Sequence, residues 1–175
     1  MVRNVNQDSL KSYISKMVSF GTRNTLSDIK SKTKGIGAAR NWVVKKFNQF
    51  AKQSDGRLTA YLDTITFKPD GKRVDQPTLL GNAVAILKGT DANDKRVYMV
   101  SGHLDSRVTD VMNRTSDAPG ANDDGSGVAG VIEAARIMSQ YKFPATIIFV
   151  AVSGEEQSLL GSGFMAAKAK KKTGM

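Results

Sequence analysis

Thr146–Val152 is an unbroken run of β-branched, aromatic and small apolar residues. A strand that is apolar at every position, rather than at every second one, needs cover on both faces. It therefore belongs in the middle of a sheet with helices on either side, and no other stretch constrains the fold as tightly. Residues 125–141 carry Val128, Val131, Ala135 and Met138 at helical spacing, and residues 157–172 read as a further helix. With the apolar run at 96–100, the order is strand, loop, helix, strand, loop, helix. That is the order of an α/β fold.

The first half reads differently. Leu10, Ile14 and Met17 predict an amphipathic helix at about 8–20, and Ile36, Ala39, Val43, Phe47 and Phe50 a second at about 37–53. Residues 57–67 alternate through Leu58, Ala60 and Leu62, then slip phase at Ile65 and Phe67, which predicts a strand with a bulge or bend. Residues 82–87 and 96–100 are apolar, with Gly89 and polar residues between them, and predict a hairpin. The expected fold is α/β: a mixed β-sheet sandwiched between helices, antiparallel early and parallel late. One domain over 1–175 suits this length, with helices and antiparallel strands to about 95 and the rest from about 96.

Charged side chains fall at particular places. The strand ending at Val100 runs straight into Ser-Gly-His103-Leu-Asp105. The strand ending at Val152 runs straight into Ser-Gly-Glu155-Glu156. Between them lies Ala-Pro-Gly-Ala-Asn-Asp123-Asp124-Gly-Ser-Gly127. Ligand sites in α/β sheets form at the carboxyl ends of parallel strands. Two acids placed directly after a buried strand are costly unless a cation meets them. His103 is the single histidine, and an acid two residues on suits a ligand whose second ring nitrogen is oriented. Singly, each motif has an ordinary structural explanation; together they point to a metal site.

Other chemistries fit less well. There is no cysteine, which excludes disulfides, thiolate zinc sites and cysteine nucleophiles. With Gly125 as the loop glycine, a calcium loop would need ligands at Gly120 and Val131. Ser126 lacks the frame of a nucleophile elbow, and no phosphate loop is present. The formal net charge of +10 gathers largely at 30–46 and 168–172, without interleaved exposed aromatics. It reads as a solvated basic surface and not as a nucleic-acid site. No apolar run reaches the length of a membrane span, so no membrane partner is expected, and residues 1–9 show no apolar signal core.

In order and spacing, the three motifs over about 101–163 resemble the M28 metallopeptidases, and residues 8–90 resemble the leading part of the family's secreted bacterial aminopeptidases. The resemblance implies a zinc-exopeptidase-like fold and an aminopeptidase acting on peptides with a free N-terminus. It implies two Zn2+ ions: His103 ligating one, Glu156 the other, and Asp123 bridging both. Glu155 would be the general base, Asp105 would orient His103, and Asp124 would support the loop. Family habit implies a secreted or periplasmic location. The family draws two further ligands, an aspartate and a histidine, from later in its chains. No histidine follows His103 here, and no acid follows Glu156. The expectation is an N-terminal part of the enzyme, weak or inactive alone, with Thr146–Val152 left with an exposed edge or face. Glutaminyl cyclases share the fold, but Asp123-Asp124-Gly-Ser-Gly suits the peptidases better. A non-catalytic relative is the other alternative.

Overall fold

The computed structural model describes residues 1–173. Residues 174 and 175, the end of the expected 1–175 domain, lie outside the described residues. The elements run α1 (Gln7–Val18), α2 (Gly35–Ala51), β1 (Leu58–Phe67), β2 (Thr78–Leu87), β3 (Val97–His103), α3 (Gly127–Met138), β4 (Thr146–Val152) and α4 (Leu160–Thr173). The strands form one sheet in the order β1-β2-β4-β3. β1 pairs with β2 and β2 with β4 antiparallel, while β3 and β4 are parallel. This is the mixed sheet that the two halves of the sequence imply.

Alternation sorts the side chains of the central strands. Ala83, Ala85 and Leu87 of β2, with Ile147, Phe149 and Ala151 of β4, join the large core built by α1, α2 and α3. Val84, Val150 and Val152 face the other way, with Ile86, Ile148 and Met165 of α4 packed against them. Both faces of β4 are therefore covered, as its composition requires. Asn6 caps α1 by accepting the Ser9 N–H at 2.8 Å. Gly35 opens α2 at φ 75°, a conformation that a side chain would strain.

Three expectations need correcting. Residues 82–87 and 96–100 do not form a hairpin, because β4 lies between β2 and β3. Pairing β3 with β4 covers the more apolar strand on both edges, which a hairpin would leave open. β1 has no bulge: its register with β2 runs unbroken from Leu58↔Leu87 to Phe67↔Thr78. The phase slip instead puts Ile65 and Phe67 on the less buried end of the strand. The exposed strand is β3, not Thr146–Val152: Val97, Tyr98, Met99 and Val100 are all exposed. Among the described residues, no helix is long and apolar enough to cross a membrane.

Candidate metal centre

β3 and β4 end side by side, with His103 in register with Val152, so the two acidic turns leave the sheet together. The Leu104 N–H donates to the Val152 carbonyl at 2.7 Å and carries the pairing one residue past the strand. Gly120, at φ 47°, turns the chain into the loop that holds Asp123 and Asp124. These two aspartates have backbone angles outside the helical range, just before α3 begins.

Asp124 joins that loop to both neighbours. Its Oδ2 accepts the His103 N–H at 3.0 Å, and its Oδ1 accepts the Gly127 N–H at 2.9 Å. A Cβ on Gly127 would lie 2.2 Å from that Oδ1, so any side chain there would push the Asp124 carboxylate out of place. Asp105 joins the two strand exits. Its carboxylate is fully buried and accepts the N–H groups of Glu155 at 3.2 Å and Glu156 at 3.1 Å, and the Thr25 hydroxyl at 3.0 Å. Burial pushes the Asp105 carboxyl up from its usual value, against those hydrogen bonds and the His103 charge.

The side chains converge only in part. His103 Nε2 lies 2.9 Å from Asp123 Oδ1 and 4.0 Å from Glu155 Oε2. On the other side of the ring, Nδ1 lies 3.2 Å from the Asp105 carbonyl and 3.8 Å from its carboxylate. The main-chain oxygen is thus the nearer orienting group. Burial lowers the imidazole pKa, but the charges of Asp105, Asp124 and Glu155 outweigh it and hold it above the ordinary value. Glu156 turns elsewhere: its Oε2 accepts from Arg107 Nε at 2.5 Å, while Arg73 donates to its carbonyl at 2.6 Å. Arg73, Arg107, Glu155, Glu156, Ser158 and Leu159 line an open cleft of about 270 Å³.

Ligand atoms adjacent on a tetrahedral zinc with bonds of about 2.0 Å are separated by about 3.3 Å. The His103–Asp123 pair nearly meets that spacing, and imidazole nitrogen with carboxylate oxygen is a zinc donor set. Among the described residues, no group of three or more His, Cys, Asp or Glu side chains is gathered tightly enough to hold a metal ion. The pair fits zinc as a started site, with Glu155 nearby and Glu156 engaged by Arg107. Nothing in the sequence singled out Arg23, Thr25, Arg73 or Arg107, since isolated basic and hydroxyl residues carry no spacing signal.

Comparison with known proteins places this geometry in context. A probable zinc metalloprotease of Leptosphaeria maculans is 45% identical over 170 residues, 97% of this chain and 39% of that protein. Another, from Pyricularia oryzae, is 50% identical over 159 residues, 90% of this chain and 31% of that protein. The chain thus spans well under half the length of these relatives. The LapA aminopeptidase of Legionella pneumophila matches 98% of this chain and 40% of its own, with a TM-score of 0.71 at 23% identity. A glutaminyl cyclase of Fimbriiglobus ruber matches 98% and 58%, with a TM-score of 0.75 at 19% identity. At such identities these structures establish the shared fold alone. The model of peptidase family M28 matches residues 82–175, which takes in both strand exits and the loop between them. With that match over more than half its length, the chain belongs to peptidase family M28.

Proposed function

We propose that the chain carries the metal-binding part of a zinc-dependent aminopeptidase that hydrolyses the N-terminal peptide bond of peptide substrates. The observation that carries this reading is the meeting of His103 Nε2 and Asp123 Oδ1 at 2.9 Å, with the Glu155 carboxylate 4.0 Å from the same nitrogen. The complete centre would hold two zinc ions: His103 on one, Glu156 on the other and Asp123 on both. Bound zinc supplies a water acidic enough to attack near neutral pH and polarises the scissile carbonyl.

The remaining work falls to this chain's residues. Glu155 accepts the proton of the attacking water at its carboxylate and returns it to the leaving amine. Its side chain is 38% exposed and no hydrogen bond ties its carboxylate among those described, so it is free to make both transfers. Asp105 holds the Glu155 and Glu156 N–H groups, which sets where the two side chains start. The Asp105 carbonyl at Nδ1 favours the tautomer that leaves Nε2 free to bind metal.

The test pairs wild type with Glu155→Gln in a chain extended to the length of its metalloprotease relatives, measuring zinc content and hydrolysis of aminoacyl amides. The variant should keep its zinc and lose hydrolysis by about 10²–10⁴-fold. Turnover that survives in Glu155→Gln overturns the base assignment. Cyclisation of peptides with N-terminal glutamine, without amide hydrolysis, overturns the peptidase reading in favour of a cyclase.

A further inference from the structure

Arg23 is the bulkiest of the fully buried side chains among the described residues, with no exposed surface. The bonds that its guanidinium makes all go to main-chain carbonyls. Nε donates to Leu104 at 2.7 Å, one terminal nitrogen to Met17 at 3.2 Å and Pro119 at 2.7 Å, and the other to Gly120 at 2.9 Å. Leu104 follows His103, and Gly120 lies three residues before Asp123. One rigid fork therefore holds the exit of β3, the entry of the aspartate loop and the end of α1.

The main chain repeats the connection. The Arg23 N–H donates to Ser106 Oγ at 3.1 Å, and Ser106 Oγ donates to the Ala118 carbonyl at 2.6 Å. The loop sits on the guanidinium without spare room: a Cβ on Gly120 would lie 2.9 Å from the Arg23 nitrogen and 2.6 Å from Ser106 Cβ. A cation buried among carbonyl oxygens is costly to desolvate, and here four hydrogen bonds to main-chain carbonyls offset that cost. What the fork supplies is geometry, since its planar donors fix three backbone segments at once.

We propose that Arg23 is a positioning residue for the metal site: it sets the spacing of His103 and Asp123, and with it the affinity for zinc. The proposal rests on the reading of these two residues as ligands. Lysine at this position keeps the charge but cannot reach three segments, so the charge and the fork are separable.

The experiment measures zinc binding by calorimetry on the 175-residue chain as wild type, His103→Ala, Arg23→Lys and Ser106→Ala. In parallel, NMR follows the imidazole of His103, whose signal is unambiguous because the chain has one histidine. Wild type should bind zinc and shift that signal. Folded Arg23→Lys should bind zinc about 10–100-fold more weakly, the range for losing a group that orients a ligand. Its imidazole signal should broaden as the ring samples several positions. Ser106→Ala, which loses only the second connection, should weaken zinc about threefold, a fraction of that range. Folded Arg23→Lys with wild-type affinity overturns the proposal. If Arg23→Lys does not fold, Ser106→Ala decides: weakened zinc binding supports the proposal and wild-type affinity overturns it. Equal zinc binding by wild type and His103→Ala would instead overturn the metal-site reading beneath it.

Discussion

The two strand exits stand side by side, yet they are held in opposite ways. At the end of β3, His103 is fixed through both main chain and ring. Its N–H goes to Asp124, its Nδ1 faces the Asp105 carbonyl, and Arg23 grips the next residue. At the end of β4 the main chain is fixed and the two side chains are held unevenly. The Glu155 and Glu156 N–H groups go to Asp105, while one side chain stays untied and the other rests on Arg107. The difference separates two tasks. On the proposed reading, a preset His103 gives a metal a defined landing point, while Glu155, the proposed proton carrier, keeps its freedom above a rigid backbone.

The strongest way to break this contrast is to remove the group the exits share. Asp105→Ala strips the acceptor from three donors: the part-buried Glu155 and Glu156 N–H groups and the buried Thr25 hydroxyl. Unsatisfied donors cost about 1–3 kcal/mol each, offset in part because the ionised carboxylate is itself costly to bury. The expected loss is about 3 kcal/mol in urea unfolding. A loss below about 1 kcal/mol would show that the β4 exit does not depend on Asp105.

A control of similar burial should separate stability from the site. Glu133 in α3 is 4% exposed and pairs with Arg136, and it also accepts the Asn6 N–H at 2.8 Å. Glu133→Gln should cost about 2 kcal/mol at neutral pH and leave zinc affinity unchanged. Burial opposes ionisation of Glu133, but the Arg136 and Asn6 contacts win and hold its carboxyl below the usual value. The sign follows: the stabilisation is complete above the ordinary carboxyl pKa of about 4.3 and fades as pH falls through the lower folded value. The gap between wild type and Glu133→Gln should therefore close in acid. A gap independent of pH would sink this account.

Arg107 tests the freedom of the second exit directly. It is a partly exposed cation resting on Glu156, so removing it should change stability by less than about 1 kcal/mol. If it competes with metal for that carboxylate, Arg107→Ala should bind zinc more tightly, by about fivefold for a pair worth roughly 1 kcal/mol. Weaker binding in the variant would mean that Arg107 helps build the site.

Much of the scaffold was legible because it follows from patterning. The β4 limits, its central position and the α/β order came from an apolar run and helical periodicity. The neighbour of β3 did not, because periodicity says which face is buried and nothing about which strand lies alongside. The acids were legible for a related reason: both exits interrupt apolar strands with charge. Their supports were not. Arg23 acts through carbonyl oxygens in three segments distant in sequence, and carbonyls leave no trace in residue identity. The resting place of Glu156 on Arg107 was hidden likewise, since the two are 49 residues apart.

The smallest effect concerns the turn after Glu156. Ser158 and Leu159 both have left-handed backbone, at φ 72° and 62°, and Leu159 is 55% exposed. Left-handed backbone costs a residue with a Cβ roughly 1–2 kcal/mol, and such strain gathers near functional sites. The turn is held by the Leu159 N–H on the Glu155 carbonyl at 2.9 Å and the Leu160 N–H on the Gly154 carbonyl at 2.8 Å. Neither bond uses a side chain, so Leu159→Asn keeps both and tolerates the conformation better. Glycine would relieve more strain but loses more entropy on folding. The asparagine variant should be more stable by about 0.5 kcal/mol, a rise in Tm of about 1–2 °C for a chain of this size. Zinc affinity should not change, because Glu155 and Glu156 keep their main-chain bonds to Asp105. A shift in zinc affinity would instead show that the strained turn helps aim the two carboxylates. The second exit would then be preset like the first.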